Sequence, residues 1–161
     1  MQSHGQEVWN YAFLLTNNHH LADDIAQDVF VQVFLHIDSF RGQSSMRTWL
    51  FSITRNIAFN YKKSAFFRNV MLLDYIVPSA GAQSAEDQYM SRTYTDTIWK
   101  LVLKLPSKYR EVLILDAHYD MPLTEIALLL RLSIGTVKSR LHRARGKLKS
   151  YLEEADLHVG L

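Results

Sequence analysis

Thr124-Glu125-Ile126-Ala127-Leu128-Leu129-Leu130-Arg131-Leu132, followed by Ser133-Ile134-Gly135-Thr136-Val137-Lys138-Ser139-Arg140-Leu141-His142-Arg143-Ala144-Arg145, is the stretch on which the fold turns. A short apolar helix over Pro122–Leu130, a break at Arg131-Leu132-Ser133 and a long helix from Ile134 to about Glu154 have the proportions of a helix-turn-helix. Val137, Leu141, Ala144 and Leu148 recur at i, i+4, i+7 and i+11, a stripe for the core. Lys138, Ser139, His142, Arg143 and Arg145 lie away from that stripe. A helix anchored by one face and basic on the other can enter a major groove, its cations meeting phosphates and its Ser, His or Arg reaching base edges. A cationic run alone is usually a solvated face. Here it follows a helix and turn of the right length, and no acid interrupts residues 126–152. His142 has no second ligand three or four residues away, so it is not read as a metal site.

Outward from this stretch, the charge is strongly patterned. The net charge of +2 hides a block of −5 over residues 1–40, +6 over 41–70, −3 over 71–99, zero over 100–125, +7 over 126–152 and −3 over 153–161. A uniformly mixed surface does not segregate its charges this way. At 48% hydrophobic and 21% charged, the 161 residues have a globular composition with room for one ordinary domain or two small ones. The absence of cysteine removes disulfides, thiol catalysis and Cys-based metal sites. No apolar run is long enough to span a membrane, so no membrane insertion is expected. Met1–Gln6 lacks the pattern of an export signal, which favours the cytoplasm.

Helical periodicity runs through nearly the whole chain. It predicts helices over about Gln6–Leu15, Leu21–Ile37 and Ser45–Lys63, then one ending at Leu105 before Pro106, one over Ser107–His118, and the pair described above. Pro78–Ser84 reads as a linker, with Ser84 and Asp87 spaced to cap a restarting helix. The expected fold is all-α: two small helical domains, 1–75 and 87–161, joined by a flexible linker at 76–86.

The third helix carries Thr48, Phe51, Arg55, Phe59 and Lys62 on one face, beside a core line of Leu50, Ile53, Ile57 and Tyr61. Trp49 lies on a further flank, near Arg47, Asn56 and Lys63. For Trp49, Phe51 or Phe59 taken singly, the core of a small domain is the better explanation. Together with six cations and no acid over residues 41–70, they suit single-stranded nucleic acid, where cations follow the backbone and rings stack on bases. The second helix turns Asp24, Gln27, Asp28 and Gln32 away from its apolar line. Such a face is by default solvated, and the sharper alternative is docking on a basic partner.

With these residues in view, the chain resembles an extracytoplasmic-function (ECF) sigma factor of the bacterial sigma-70 family, over roughly residues 7–152. Ala22-Asp23-Asp24-Ile25-Ala26-Gln27-Asp28-Val29-Phe30 is similar to the region 2 helix that binds the β′ clamp helices of RNA polymerase. Phe40-Arg41-Gly42-Gln43-Ser44-Ser45, Arg47-Thr48-Trp49-Leu50 and Ile53-Thr54-Arg55-Asn56 resemble the part that captures and melts the −10 element. Leu105–Val112 and Gly135–Arg145 resemble region 4, which reads the −35 element. The resemblance implies polymerase contacts at Asp24, Gln27 and Asp28. It implies −10 contacts at Phe40, Arg41, Gly42, Gln43, Ser44, Ser45, Trp49, Arg55, Asn56 and Lys62, and −35 contacts at Thr136, Lys138, Ser139, Arg140, His142 and Arg143. It implies a monomer that works with core polymerase (β′ clamp helices and β flap) and promoter DNA, under an anti-sigma factor, with no catalytic residue, cofactor or metal of its own. The chain departs from the family in being shorter before Thr16 than the usual first helix, and at three positions of region 4. Arg131 stands where the turn usually has Gly, Pro122 where a capping Ser is common, and His142 where aromatic residues are frequent.

Two other readings compete. A free-standing helix-turn-helix regulator would bind duplex tightly without polymerase. A helical metal-dependent enzyme would be built around His20, Asp23 and Asp24, although the Glu-x-x-His signature of di-metal bundles is absent.

Overall fold

A computed structural model describes residues 2–72 and 94–159, and over these the chain is α-helical with a single 3₁₀ turn and no strand. Helix α1 (Gln2–Thr16) hands over to α2 (His19–His36) through two asparagines with different tasks. Asn17 closes α1 in the left-handed region at φ 51°, its N–H on the Phe13 carbonyl at 2.6 Å. Asn enters that region more readily than most residues. Asn18 opens α2, its side-chain oxygen accepting the Leu21 N–H at 3.0 Å. Ile37–Ser39 tightens into the 3₁₀ turn, so α2 stops one residue short of the expected Ile37.

Helix α3 (Met46–Leu72) starts where the Ser45 hydroxyl accepts the Thr48 N–H at 3.1 Å. It continues past Lys63, the expected end. The apolar period fades there, yet neither Gly nor Pro stands between Ser64 and Leu72 to stop the helix. The expected linker and the Ser84/Asp87 cap lie outside the described residues.

Helices α4 (Tyr94–Lys104), α5 (Ser107–Ala117), α6 (Leu123–Leu130) and α7 (Ile134–Val159) follow. Pro106 and Pro122 each hold extended backbone immediately before a helix, with ψ of 139° and 142°. Pro122 is thus the capping residue of α6 and not part of its first turn. Arg131 ends α6 at φ 55°, ψ 46°. The Leu132 N–H reaches back to the Ala127 carbonyl at 2.9 Å, the long closing bond of a Schellman end. The left-handed geometry that glycine usually serves is therefore present with an arginine in it. For an L-residue it costs roughly 1–2 kcal/mol, partly offset by the smaller entropy of a non-glycine in the unfolded chain. Arg131→Gly should stabilise the protein by roughly 0.5–1 kcal/mol and raise Tm by a few degrees. A lower Tm in a thermal melt would show that Arg131 makes a compensating contact.

The first core gathers Val8, Tyr11, Ile25, Val29 and Leu50 from α1–α3, and the second gathers Val112, Leu115, Ile126, Val137, Leu141 and Ala144 from α5–α7. The stripe read on α7 is thus buried as expected. The two cores are continuous through aromatic rings. Tyr11 stacks on Phe51 at 4.4 Å, and Tyr119 meets Phe51 edge-on at 4.8 Å. Such pairs add roughly 0.5–1.5 kcal/mol each beyond their buried area. Phe51 and Thr48, from the mixed cation-aromatic face of α3, are 1% and 2% exposed because the segment from α5 to α6 lies over them, which for Phe51 is the core reading. Neither ring nor hydroxyl is open to a base.

Candidate nucleic-acid interface

The α7 surface is built from its cap upward. Ser133 accepts the Thr136 N–H at 3.2 Å, fixing the first turn, and the Ser139 hydroxyl donates to the Thr136 carbonyl at 3.0 Å. Burial of Val137, Leu141 and Ala144 then turns Lys138, Ser139, His142 and Arg143 into solvent. Arg143 hydrogen-bonds the Tyr109 phenol and, with Lys108 nearby, holds its pKa below the usual range. Two basic residues of the helix have other surroundings. Arg145 is fastened to Asp116 of α5 at 2.6 Å, which sets the pose of α7 on its domain. Arg140 turns from the outer face and lines a cleft against α3.

The segment Phe40–Ser45 projects between α2 and α3. Phe40 leans on Trp49 with ring centroids 5.2 Å apart, and Gly42 turns the chain at φ 68° with open space around it. Arg41, Gly42, Gln43 and Asn56 are exposed. Ser45 is engaged twice, capping α3 and donating to Glu125 of α6 at 3.1 Å.

Acids, two of them from the second domain, hold three further polar residues of α3. Thr48 donates to Glu125. The Arg55 Nε donates to Glu111 Oε1 at 2.7 Å, and the Tyr11 hydroxyl donates to the same oxygen at 3.1 Å. Burial, reinforced by the Glu111 charge, drives the Tyr11 phenol well above its ordinary pKa. Arg47 forks onto Glu7 at 2.6 and 3.2 Å and donates to the Tyr119 carbonyl at 3.1 Å. Burial alone would raise the Glu7 pKa, but Arg47 and His4 outweigh it and hold the carboxyl below its usual range. Lys62 is half-buried beside Arg110, and both burial and that neighbour lower its pKa.

On α2, Asp24, Gln27 and Asp28 are exposed, and the Asp28 carboxylate accepts the Tyr61 hydroxyl at 2.6 Å. That bond, with Asp24 close by, pushes the Tyr61 pKa up to about 12. The same helical face continues into Val31, Phe34 and Leu35, which are 56%, 83% and 62% exposed. This apolar extension was missed in the sequence. Its signal was there: 24, 27/28, 31 and 34/35 follow one helical ridge, off the core line of Ile25 and Val29. Glu111 and Glu125 were missed too, and no local pattern marks them. Among the described residues, no group of three or more His, Asp or Glu side chains is placed to hold a metal ion, and Asp23 accepts the Trp9 indole N–H at 2.6 Å.

Fold and surfaces define a class: a two-domain helical protein with a helix-turn-helix in one domain and an exposed acidic-apolar helical face on the other. Residues 1–65 match Sigma-70 region 2 and residues 95–148 match Sigma-70, region 4. The chain is 32% identical over 157 residues to the ECF RNA polymerase sigma factor SigW of Bacillus subtilis, covering 92% of this chain and 84% of that protein. It is 34% identical over 152 residues to the RNA polymerase sigma factor YlaC of the same organism, covering 93% and 88%. Among solved structures it is similar to the sigma factor RpoE of Bartonella quintana in complex with the anti-sigma factor NepR, at 26% identity, TM-score 0.72 and 94% and 93% coverage. It is also similar to CnrH in complex with the cytosolic domain of CnrY, at 26% identity, TM-score 0.67 and 95% and 84% coverage. The chain belongs to the ECF sigma factors of the sigma-70 family, whose function is promoter-specific initiation of transcription. A free-standing helix-turn-helix regulator is not favoured.

Proposed function

We propose a division of this function over three surfaces. The observation that carries it is the outward basic face of α7, rising from a buried stripe behind an intact helix-turn-helix end. Lys138, Ser139, His142 and Arg143, with Thr136 at the helix start, read the −35 element in the major groove. Phe40–Ser45 takes up an extruded −10 base, with Trp49 and Asn56 beside it. Arg55 and Lys62 hold the separated strand once the domains part. Arg140, directed into the cleft, joins the −35 contacts only from the rim of the groove. Asp24, Gln27 and Asp28 dock on the β′ clamp helices of core polymerase, and region 4 docks on the β flap.

The chain works as a monomer in the cytoplasm and supplies no bond-making chemistry, which belongs to polymerase. Unstacking a base costs a few kcal/mol, so contacts to the flipped base and strand must offset it. An anti-sigma factor is the proposed regulator. A groove of about 370 Å³ lined by Trp9, Phe13, Trp99 and Leu103 between α1 and α4 gives such a partner an apolar seat.

Transcription reconstituted in vitro tests the reading. Initiation is expected only when this chain, a bacterial core polymerase and a cognate promoter are combined. Strong duplex binding by the chain alone, with no core-dependent initiation, would return the free-standing regulator. Within that assay, Lys138→Ala should weaken −35 binding across sequences and reduce the salt slope by about one unit, as loss of one phosphate contact does. An unchanged slope would move Lys138 off the DNA backbone.

A further inference from the structure

Between α1, α3, α5 and α7 lies a cleft of about 130 Å³ whose lining is strongly unbalanced in charge. Arg55 and Lys62 enter from α3, Lys108 and Arg110 from α5, and Arg140 from α7, against the single carboxylate of Glu111. That carboxylate already accepts from Arg55 and from Tyr11. Among the described residues, neither Lys62 nor Arg140 forms an ion pair with a carboxylate. The Arg110 guanidinium donates to the Leu103 carbonyl at 3.3 Å, a neutral partner. Lys62 and Arg110 are nevertheless half-buried: burial disfavours the charge on both, Arg110 further disfavours that on Lys62, and Glu111 offsets only part of this.

Five cations, some of them partly desolvated, against one carboxylate are an unfavourable arrangement. A bound anion relieves it. The chemistry narrows which anion. Guanidinium forks match the oxygens of phosphate in paired hydrogen bonds, and lysine adds point charge. The N-terminus of α5 also opens here through Ser107 and Lys108. Pro106 provides no side-chain cap for the free N–H groups of that first turn. The volume is that of about four waters, enough for linked phosphates and too small for a nucleobase as well.

We propose that this cleft binds a pyrophosphate group, free or as part of a nucleotide, and that the bound group clamps the two domains together. Its ligands come from both domains, so the site exists only when α3 and α5 lie side by side. Ligand binding then favours the closed form by mass action. If Arg55 and Lys62 hold the −10 strand, the same ligand competes with melted promoter. The site itself does not depend on that assignment, and the test below contains no DNA.

Isothermal titration of the full chain with sodium pyrophosphate, without divalent metal, is expected to give one site per chain. Lys62→Gln and Arg140→Gln, each checked for folding by circular dichroism, should each weaken it by about tenfold or more. Inorganic phosphate should bind more weakly. Parallel titrations with ATP and GTP distinguish the sources: tighter binding than pyrophosphate assigns a nucleotide, and equal or weaker binding assigns the free anion. Because the chain has no cysteine, dyes placed at His36→Cys and Lys147→Cys report the distance between domains, which pyrophosphate should shorten or narrow. Absence of saturable binding at millimolar pyrophosphate overturns the site. So does citrate binding as tightly, or affinity unchanged in both variants. Binding with no change in the distance distribution overturns the clamp.

Discussion

Glu111→Ala will open the molecule. One oxygen of this carboxylate receives both the Arg55 guanidinium at 2.7 Å and the Tyr11 hydroxyl at 3.1 Å, and the side chain is only 7% exposed. Removing it leaves a guanidinium, 19% exposed, facing Lys62 and Arg110 without an anion. Breaking a buried pair in this way costs roughly 3–5 kcal/mol, and the residual access of Arg55 to water places the value near or below the lower end. The penalty falls on the closed arrangement alone, since a parted Arg55 is solvated. The closed population should therefore fall by roughly thirtyfold or more relative to the open one. Small-angle scattering, or the two-dye distance described above, reads this directly. Glu111→Gln keeps an acceptor for Tyr11 and should open the molecule less. Arg55→Ala combined with Glu111→Ala should recover part of the closure, because no buried charge is then left alone. A wild-type distance distribution that Glu111→Ala leaves unchanged would mean that the pair does not hold the domains.

Phe34→Ala, alone and with Asp24→Ala and Gln27→Ala, is expected to remove most of the affinity for core polymerase. Phe34 is 83% exposed, and Val31 and Leu35 beside it are also open to water. A contiguous apolar strip of this kind on a helix marks a contact with another protein. An aromatic anchor lost from such a contact typically costs about 2 kcal/mol or more, or roughly thirtyfold in affinity. Asp24 and Gln27, about three and two turns before Phe34, fix orientation and steer a basic partner. The triple variant should keep its thermal stability, since these side chains face away from the core, and isolated region 4 binding to DNA should be intact. Core affinity retained in a competition assay would take the docking face off α2.

The legible parts of this chain were those governed by local rules. The α7 stripe of Val137, Leu141 and Ala144 is buried as its spacing requires, and Pro106 ends one helix and starts the next. The left-handed turn at Arg131 sits at the motif's glycine position, against arginine's own preference. What escaped was decided between elements distant in sequence. Phe51 and Thr48 share a helical face with Arg55, so periodicity alone did not say what would cover them, and the α5–α6 segment does. Charge summed along the chain hid the acids that matter. Residues 100–125 balance to zero, yet Glu111 and Glu125 from that neutral stretch reach Arg55, Ser45 and Thr48 on the basic block. Glu7, which no sequence pattern explained, pairs with Arg47 of the same block. Asp38 has no role that the structure explains.

The closed arrangement treats the two basic helices unequally. Arg55 and Lys62 of α3 are turned inward, whereas Lys138, His142 and Arg143 of α7 stay in solvent. On the proposed assignments, the free protein is then a half-armed reader. It can touch duplex through phosphates, weakly and with strong salt dependence, and glide along a genome without prying any of it apart. Strand opening waits until a larger machine draws the domains to their separate stations. The search for a promoter and the licence to melt one are thereby divided in time, by a single carboxylate on α5.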